Sequence, residues 1–455
     1  MSKEQDIFGT ERRRFRPYPK YKDSSVEWLG KIPTHWGTDR LKYVVTVNNE
    51  RSYDQESDLP FIGLEHIESG TGKLLTSTED VNGEIGEIES SSSHFRPGDI
   101  LFGKLRPYLA KVLKPDFEGR CSTEVIVLRC GGNIDPQNLS YQLLSSGFIS
   151  WINSMTYGAK MPRANSEQIV NTKVPLSSLP EQQAIAKFLD RETAKIDTLI
   201  AKNKRLIELL QEKRTALITQ AVTKGLDPNV PMKDSGVEWL GKIPAHWRIL
   251  PFKRLFEVTY RYPTYYGIEY VLDGVREIRG EAIAPDGRIF ELKDQRYISP
   301  ELSAQFGQTI LREGDLVMSV RGTMGKVGFV DKNWAGSNIT ANLMRLSPRR
   351  ELVEGRFLIR ALSSQYFLQM LDLQAPQTTI KTITVPQLAV IPIPVPPLLE
   401  QEQILALLEN EISKINALAE GIHKGGAQLK EYRTALISAA VTGKIDVRDT
   451  RSAPR

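Results

Sequence analysis

The stretch EQQAIAKFLDRETAKIDTLIAKNKRLIELLQEKRTALITQAVTK, from Glu181 to Lys224, contains neither proline nor glycine and is rich in residues that favour helix. It predicts a single long helix, because its apolar residues recur at alternating spacings of four and three. A helix of about 40 residues rises about 60 Å, and a narrow apolar stripe of that length needs a partner helix. The stripe that we assign to this helix consists of Ile185, Leu189, Ile196, Leu199, Leu206 and Leu210.

The predicted partner helix lies in the same chain, because the stretch from Glu400 to Lys444 repeats the pattern in register. The run Arg214-Thr-Ala-Leu-Ile218 returns there as Arg433-Thr-Ala-Leu-Ile437. Three glycines each cost about 1 kcal/mol of helix propensity relative to alanine. We therefore expect a kink or local disorder at Gly421, Gly425 and Gly426. The apolar stripe of this second helix consists of Ile404, Leu408, Ile415, Leu418, Leu429 and Leu436.

A second internal repeat is rich in tryptophan. The segment DSSVEWLGKIPTHW, residues 23–36, returns as DSGVEWLGKIPAHW, residues 234–247. Such a repeat predicts two copies of one structural unit, and we interpret both copies as segments that dock against a helix end. The second copy also has the outline of a phosphate-binding loop, but Ile243 stands where serine or threonine would hold magnesium, so no ATP site is predicted.

Two longer stretches, 37–178 and 248–397, consist of short β-rich runs separated by turns. Each contains a Gly-Asp run followed by two apolar residues or more, starting at Gly98 in the first and at Gly314 in the second. Each then continues into one predicted helix, over 139–153 and over 356–371. The two stretches share this order of elements but little sequence, whereas the long helices that follow them match closely.

This order predicts an α+β fold with two β-rich α/β domains, separated by two long antiparallel coiled-coil helices with pseudo-twofold symmetry. Parallel helices would oblige the second domain to span about 60 Å, whereas antiparallel helices place the start of the second helix where the first one ends. The same symmetry predicts that the first tryptophan segment docks where the second helix ends. The two termini of the chain should then lie close together.

The sequence-based boundaries follow the repeats and the composition. The arm at the N-terminus is basic, and we interpret it as a solvated terminus in preference to a DNA contact. The predicted parts are an N-terminal arm 1–22, a first domain 23–178 with docking segment 23–36, a first spacer helix 179–226, a second domain 234–397 with docking segment 234–247, a second spacer helix 398–446 and a C-terminal tail 447–455.

Composition narrows the class of protein. A chain of 455 residues suits two to four domains. Its net charge of +5 is compatible with nucleic-acid binding without demonstrating it. Cys121 and Cys130 lack the C-x-x-C spacing, which favours a reducing compartment. No apolar run is long enough for a membrane span, so we expect a soluble, cytoplasmic protein without membrane partners.

Complete catalytic motifs are absent from the sequence. The five histidines are scattered without metal-ligand spacing, and no tetrapeptide typical of adenine methyltransferases occurs. One nuclease-like string contains Asp286, Glu291 and Lys293, but its acidic residues are close together and Asp286-Gly287 is an ordinary hairpin turn signal. We therefore predict no catalytic residues and no metal ligands in this chain.

Polar and basic loops remain as candidates for binding. Arginine, lysine, asparagine and glutamine read base edges, whereas threonine and backbone amides hold phosphates. Each residue alone is equally well explained as a solvated surface group, but the loops recur at matching places in two divergent domains. The candidates in the first domain are Lys104, Arg106, Tyr108, Lys160, Arg163 and Asn165, and those in the second are Arg321, Thr323, Lys326, Gln377, Lys381 and Thr382.

Taken together, these features resemble the specificity subunit of type I restriction-modification enzymes. The resemblance rests on the alternation of variable domains with near-identical helices, the tryptophan repeat and the Gly-Asp runs. It also includes the Glu-Gln pairs that open the helices and the Arg-Thr-Ala-Leu-Ile runs near their ends. It covers nearly the whole chain.

The resemblance implies that each domain is a target recognition domain for one half of a split, asymmetric sequence in double-stranded DNA. Two readers on one face of DNA should lie about one helical turn, roughly 34 Å, or a multiple of it apart. The helices would be a spacer and a docking surface for two modification subunits, which carry S-adenosylmethionine and perform methyl transfer. Two restriction subunits, driven by ATP and requiring magnesium, would cut the DNA, and no cofactor is expected in this chain.

Two other hypotheses fit parts of the sequence. A stand-alone metal-dependent restriction nuclease would use the string that begins at Asp286, but no complete catalytic motif supports it. A coiled-coil adaptor without a DNA role would explain the helices, but it leaves the paired basic loops unexplained.

Overall fold

The computed structural model describes residues 15–48, 51–52, 59–75, 92–261, 268–376 and 381–448. The chain divides into two compact units. The first unit contains residues 1–204 and 423–455, and the second contains residues 205–422. Among the described residues, no helix is both long and apolar enough to cross a membrane.

The first unit is built on two four-stranded sheets, one with the order β4-β11-β8-β9 and one with the order β5-β7-β10-β6. The pair β6 and β10 is parallel, and the other pairs described in these sheets are antiparallel. Two small sheets join β1 to β2 and β3 to β12. The strands are β1 Tyr21–Asp23, β2 Lys31–Pro33, β3 Gly37–Arg40, β4 Val45–Asn48, β5 Arg51–Ser52, β6 Phe61–Ile62, β7 Ser92–Phe95, β8 Ile100–Gly103, β9 Val112–Leu113, β10 Gly119–Cys121, β11 Val125–Cys130 and β12 Lys173–Leu176.

The second unit repeats the order of the first sheet as β16-β23-β20-β21 and has small sheets β13-β14 and β15-β24. Its other sheet has the order β17-β19-β18-β22, so β18 lies between β19 and β22, whereas in the first unit β10 lies between β7 and β6. Its parallel pair, β18 with β22, corresponds to β6 with β10. The strands are β13 Met232–Asp234, β14 Lys242–Pro244, β15 Arg248–Pro251, β16 Phe256–Arg261, β17 Tyr270–Val271, β18 Val275–Ile278, β19 Arg296–Ile298, β20 Leu316–Ser319, β21 Val327–Phe329, β22 Asn338–Ile339, β23 Leu343–Pro348 and β24 Pro392–Val395.

The Gly-Asp runs form central strands that are buried on both faces. In β8, Ile100 and Phe102 belong to the core shared with the helices, while Leu101 belongs to a separate core between the sheets. In β20, Leu316 and Met318 likewise face one core and Val317 the other. Because successive side chains of a strand point to opposite faces, burial on both faces produces a continuous apolar run rather than an alternating one.

The helix predicted over 139–153 is two helices, and so is the one predicted over 356–371. The breaks fall at Ser145 and at Ser363–Ser364, where Ser145 and Ser364 each donate a side-chain hydrogen bond of 2.6 Å to a carbonyl of the preceding helix. A serine that bonds the backbone in this way competes with helix continuation. The helices are α1 Pro136–Leu144, α2 Ser146–Ser154, α3 Ser166–Asn171, α4 Leu179–Lys224, α5 Pro300–Gln305, α6 Gly355–Leu362, α7 Gln365–Gln374, α8 Val385–Ala389 and α9 Leu398–Val441.

The long helices α4 and α9 pack antiparallel, as predicted. In the first unit, Ile185 and Leu189 near the start of α4 share a core with Leu436 near the end of α9. In the second unit, Val222 near the end of α4 shares a core with Ile404 near the start of α9.

Both helices are shorter than predicted. They end at Lys224 and Val441 rather than at 226 and 446, because Gly225 (φ 77) and Gly443 (φ 68) take the left-handed conformation that terminates a helix. The local disorder expected in α9 is wrong, since helix continues through Gly421, Gly425 and Gly426. Packing of an amphipathic face supplies more helix stability than propensity does, which explains how α9 tolerates them.

The predicted apolar stripes are buried over only part of their length. Leu210 and Leu429 are half-buried, and Leu199, Leu206 and Leu418 are exposed, by 49%, 45% and 59% respectively. Burial follows the places where each helix packs against a domain, so the heptad pattern alone does not mark buried positions. The buried members of the stripes are Ile185, Leu189, Ile196, Ile404, Leu408, Ile415 and Leu436.

The glutamines of the Glu-Gln pairs that open the long helices are buried anchors. Gln182 accepts a hydrogen bond from the Asp135 amide (2.8 Å) and donates to the carbonyls of Asn133 and Ser177. Gln401 makes the equivalent bonds in the second unit, to Glu354, Leu352 and Pro396. The repeated motif thus ties each long helix to its own domain.

The first docking segment lies where α9 ends, as the predicted symmetry requires. A side chain placed at Gly443 would lie within 3.2 Å of Pro33 and of the buried Trp36. The Asp446 amide donates to the Arg16 carbonyl (2.7 Å), so the segments next to the two termini are adjacent.

Candidate nucleic-acid interface

The two candidate loops of the first domain meet in a short antiparallel bridge. The Arg106 amide donates to the Pro162 carbonyl (2.7 Å), and the Ala164 amide donates to the Lys104 carbonyl (2.9 Å). Leu105 and Arg163 are the bridged pair. Residues more than fifty positions apart in the sequence therefore form one surface at the end of β8.

The second domain has the same bridge at the equivalent place. The Gly322 amide donates to the Lys381 carbonyl (3.0 Å), and the Ile383 amide donates to the Val320 carbonyl (3.0 Å). Arg321 and Thr382 are the bridged pair. Because the same bridge recurs at the end of β20, the candidate loops lie at the same place in the fold of both domains. Gln377 lies outside the described residues.

The bridges establish the residue-level match between the domains. Arg321 occupies the place of Leu105, and Gly322 occupies the place of Arg106. Both Arg106 (φ 50) and Gly322 (φ 72) have left-handed backbone conformations. This conformation costs a residue with a side chain about 1–2 kcal/mol, and it carries no such penalty for glycine. Arg106 thus introduces backbone strain at a place where the second domain has none, and strain of this kind concentrates at functional sites.

Other candidates in the first domain differ in how much of their polar side chain is available. Arg163 pairs with Glu124 at 2.5 Å. The Asn165 side chain accepts a hydrogen bond from the Glu167 amide (2.8 Å) and caps α3. Lys160 is exposed. Tyr108 is 52% exposed in the turn that follows Arg106.

In the second domain, Thr323 is exposed, and Lys381 forms an ion pair with Asp372. The ammonium group of Lys326 lies 3.4 Å from the Gly280 carbonyl. Lys111 of the first domain makes the same type of contact, to the Leu64 carbonyl at 2.5 Å. This repeated contact, to the turn that follows β18 in one domain and β6 in the other, gives Lys326 a structural role.

Sequence reasoning missed Arg261, the last residue of β16. Its Nε donates to the Ala341 carbonyl at 3.3 Å. Burial, together with the nearby positive charge of Arg321, lowers the pKa of Arg261. Two guanidinium groups close enough to affect each other's environment form a positive site that suits an anion or a base edge with acceptor atoms. Only the pairing of strands that are distant in sequence brings them together.

The nuclease-like string forms a turn. The Ala284 amide donates to the Arg288 carbonyl (2.9 Å) across it, and Ile283 is bridged to Ile289. Although burial acts to raise the pKa of Asp286, hydrogen bonds from Arg288 hold that pKa below its usual value. Within the described part of the chain, no group of three or more histidine, cysteine, aspartate or glutamate residues is arranged to hold a metal ion.

The fold and the repeated bridges define a class of protein with two like-built domains joined to long helices. The model of the type I restriction modification DNA specificity domain matches the chain twice, over residues 33–209 and 252–424. The chain therefore belongs to this family, and its function is DNA sequence recognition as a type I restriction-modification specificity subunit. Members of the family are recognition subunits rather than enzymes.

Two relatives match over most of their length. The chain is 24% identical over 434 residues to the type I restriction enzyme MjaVIII specificity subunit of Methanocaldococcus jannaschii, covering 92% of this chain and 95% of that one. It is 24% identical over 307 residues to the EcoBI specificity subunit of Escherichia coli, covering 66% and 64%.

Two solved structures share the fold. A chain from a study of complex assembly and conformational transition of the type I R-M system has a TM-score of 0.68 at 20% identity, and the match covers 91% of this chain and 99% of that one. The HsdS subunit from Thermoanaerobacter tengcongensis has a TM-score of 0.52 at 21% identity, covering 91% and 98%.

Proposed function

We propose that this chain reads a bipartite, asymmetric site in double-stranded DNA, with one half read by each domain. The observation that carries the proposal is the repeated bridge, Leu105 with Arg163 and Arg321 with Thr382. It presents two loops at the same place in both domains, but with different side chains. A shared frame with different side chains suits two readers of unlike half-sites.

The chemistry of these loops fits base and phosphate contacts. Arg106 and Arg321 offer guanidinium groups, which bind guanine edges with paired hydrogen bonds. The partly buried Arg261 adds a second positive charge beside Arg321. Tyr108 is an exposed aromatic residue that can pack against a sugar or a base. Lys160 is an exposed cation suited to the phosphate backbone.

We further propose that the chain is a scaffold for two modification subunits and two ATP-driven restriction subunits. Methyl transfer with S-adenosylmethionine, and cleavage with ATP and magnesium, would take place in those partners. The exposed leucines Leu199, Leu206 and Leu418 on the long helices support the proposal, because apolar side chains at coiled-coil spacing bind further helices.

The test is to express the chain with its neighbouring modification subunit in a host without DNA methylation and to map methylated adenines by single-molecule sequencing. A single split motif with a fixed gap is expected. Replacing residues 37–178 by the corresponding domain of a relative should change only one half of the motif. Methylation of a contiguous motif, or a change in both halves after the replacement, would contradict the two-reader proposal.

A further inference from the structure

The 106–110 turn of the first domain carries two candidate contacts, Arg106 and Tyr108, and its backbone is strained at both ends. Arg106 (φ 50) and Ala110 (φ 47) are both left-handed. Residues with a side chain keep this conformation only where surrounding contacts determine it. The turn therefore depends on groups outside itself for its shape.

Each end of the 106–110 turn is held by a backbone hydrogen bond from another loop. At one end the Arg106 amide donates to the Pro162 carbonyl, within the bridge described above. At the other end the Gly70 amide donates to the Ala110 carbonyl at 3.0 Å. Gly70 lies in the loop that follows β6, so the position of this loop sets the far end of the turn.

The loop of Gly70 is in turn fastened to both long helices by one side chain, Arg433 of α9. Its Nη1 donates to the Gly70 carbonyl (2.8 Å) and its Nη2 to the Thr71 carbonyl (2.9 Å). Its Nε donates to the Asp197 carboxylate of α4 (3.0 Å), which also pairs with Lys73 at 2.6 Å. Because a guanidinium group is planar and its donors have a fixed geometry, these bonds determine where the loop lies.

The second unit lacks this fastening. Arg214 of α4 is the counterpart of Arg433, since each opens an Arg-Thr-Ala-Leu-Ile run. The residue that matches Asp197 in the register of these runs is Asn416, which has no charge to pair with an arginine. The Nε atom of Arg214 is buried, and it has no hydrogen-bond partner in the part of the chain that the structure describes.

The turn of the second unit also lacks the strain. Its left-handed positions are Gly322 (φ 72) and Gly325 (φ 84). Gly325 corresponds to Ala110, because each directly precedes the lysine whose ammonium group contacts the neighbouring turn. Glycine adopts this conformation without steric cost. Strain and fastening thus occur together in the first unit, and the turn that needs no fastening has none.

We propose that Arg433 is a positioning residue for DNA recognition by the first domain, which holds the 106–110 turn in the shape that presents Arg106 and Tyr108. The inference rests on the proposed function, and it goes further by making the long helices part of one recognition site and not of the other. Arg433 is only 5% exposed, so it acts through the Gly70 backbone and not by touching DNA.

The test compares Arg433→Gln with its matched control Arg214→Gln, each in the full chain bound to the modification subunit. Fluorescence anisotropy measures affinity for the mapped split site and for two DNAs in which one half or the other is altered. Arg433→Gln should weaken binding to the mapped site about tenfold, the effect expected for loss of one charge-assisted hydrogen bond. It should lower the preference for the correct half at the first domain only, whereas Arg214→Gln should change neither preference.

A second variant distinguishes positioning from a purely structural role. Ala110→Gly removes the strain at the far end of the turn, so the loss of affinity caused by Arg433→Gln should be smaller in the Ala110→Gly background. A purely structural role would lower the unfolding temperature, leave the half-site preferences of the folded protein unchanged and add to the effect of Ala110→Gly. If Arg433→Gln does not fold, Arg433→Lys replaces it, because lysine keeps the charge beside Asp197 but lacks the planar group that bonds two carbonyls.

Failures of the two proposals have different signatures. If the wild-type complex discriminates neither half of a split site, the proposed function is wrong and this inference falls with it. If wild type discriminates both halves and the Arg433 variant keeps both preferences, or loses both equally, the positioning role alone is overturned. Equal losses of affinity with and without Ala110→Gly would also overturn it, because Arg433 would then not act through the turn.

Discussion

Two residues of the first unit hold left-handed backbone conformations where the second unit has glycine. Arg106 (φ 50) corresponds to Gly322, and Ser25 (φ 54) corresponds to Gly236 of the docking repeat. Ser25 has an evident local reason, since its amide bonds the Asp23 side chain at 2.8 Å in a tight turn. Arg106 lies in the candidate interface. Comparison of Arg106 with Ser25 therefore separates the stability cost of backbone strain from the contribution of the Arg106 guanidinium group to DNA binding.

We predict that Arg106→Gly and Ser25→Gly both preserve or raise the stability of the first unit, by up to about 1 kcal/mol, because relief of strain exceeds the entropy cost of glycine. Only Arg106→Gly should weaken DNA binding, by about tenfold, because it also removes a base-contacting side chain. Urea unfolding and fluorescence anisotropy with the mapped site measure the two effects. If both variants bind DNA with equal affinity, Arg106 is not part of the interface.

Glu277 is a buried carboxylate in β18, 1% exposed, and one of its oxygens lacks a hydrogen-bond partner among the described residues. Burial raises the pKa of Glu277, with weaker opposing effects from Tyr270 and two arginines. The folded state therefore holds this proton more tightly than the unfolded state does, for which the pKa is 4.5. As pH rises above 4.5 and through the folded pKa, the free energy of unfolding falls.

Glu277→Gln should therefore raise the unfolding temperature at pH 7–8. The expected rise is a few degrees, which corresponds to about 1 kcal/mol of added stability in a unit of this size. The gain should disappear below about pH 4.5, where wild type is protonated as well. Calorimetric scans across this range measure it. A gain that is the same at pH 4 and pH 8 would mean that relief of a buried charge is not the cause.

At the scale of single elements, α9 shows how packing outweighs propensity. Its glycines at 421, 425 and 426 have open space where a Cβ atom would lie. Gly443, just beyond the helix, differs from them in its backbone conformation and in the space around it. It has φ 68, and a Cβ atom there would lie 2.4 Å from Pro33.

Gly421→Ala should stabilise the chain by about 0.5–1 kcal/mol, because alanine loses less backbone entropy in a helix. Gly443→Ala, the matched control, should destabilise it, because the left-handed conformation and the contact with Pro33 both oppose a side chain. Denaturant unfolding distinguishes the two. Destabilisation by Gly421→Ala would indicate that a neighbour approaches this glycine closely.

At the scale of the whole molecule, the main consequence is modularity. Each unit carries its own sheets, bridge and candidate contacts, and the start of each long helix is anchored to the domain that precedes it by a buried glutamine, Gln182 or Gln401. A substitution in one interface should therefore leave recognition by the other domain intact. Arg261 tests this because it belongs wholly to the second unit.

Arg261→Ala should relax or weaken recognition of one half of the split motif and leave the other half unchanged. Loss of one phosphate contact should also make the slope of the logarithm of the binding constant against the logarithm of salt concentration shallower by about one. Arg349→Ala is the control, because Arg349 follows the other end of the same strand pair, next to Pro348 and Phe256. Methylation mapping with binding measured at several salt concentrations gives both readouts, and equal loss in both halves would contradict modular reading.

The sequence by itself determined the parts of this protein that repeat or that have a local period. It fixed two long helices, two docking segments and two domains of one design, because internal repetition and apolar spacing are visible without any contact being known. It also located the two loops of each domain. Antiparallel helix packing followed from chain order alone.

Only the tertiary structure decided which residues of these parts meet. It joined the loop of Arg106 to that of Arg163, brought Arg321 near enough for its charge to lower the pKa of Arg261, and left Leu199 exposed although it belongs to the predicted stripe. It also gave two nearly identical tryptophan segments different surroundings, through one exchange of glycine for tyrosine more than a hundred residues away, Gly147 in the first unit and Tyr366 in the second. Each of these outcomes depends on contacts between residues distant in sequence, and a local pattern contains no information about its distant neighbours.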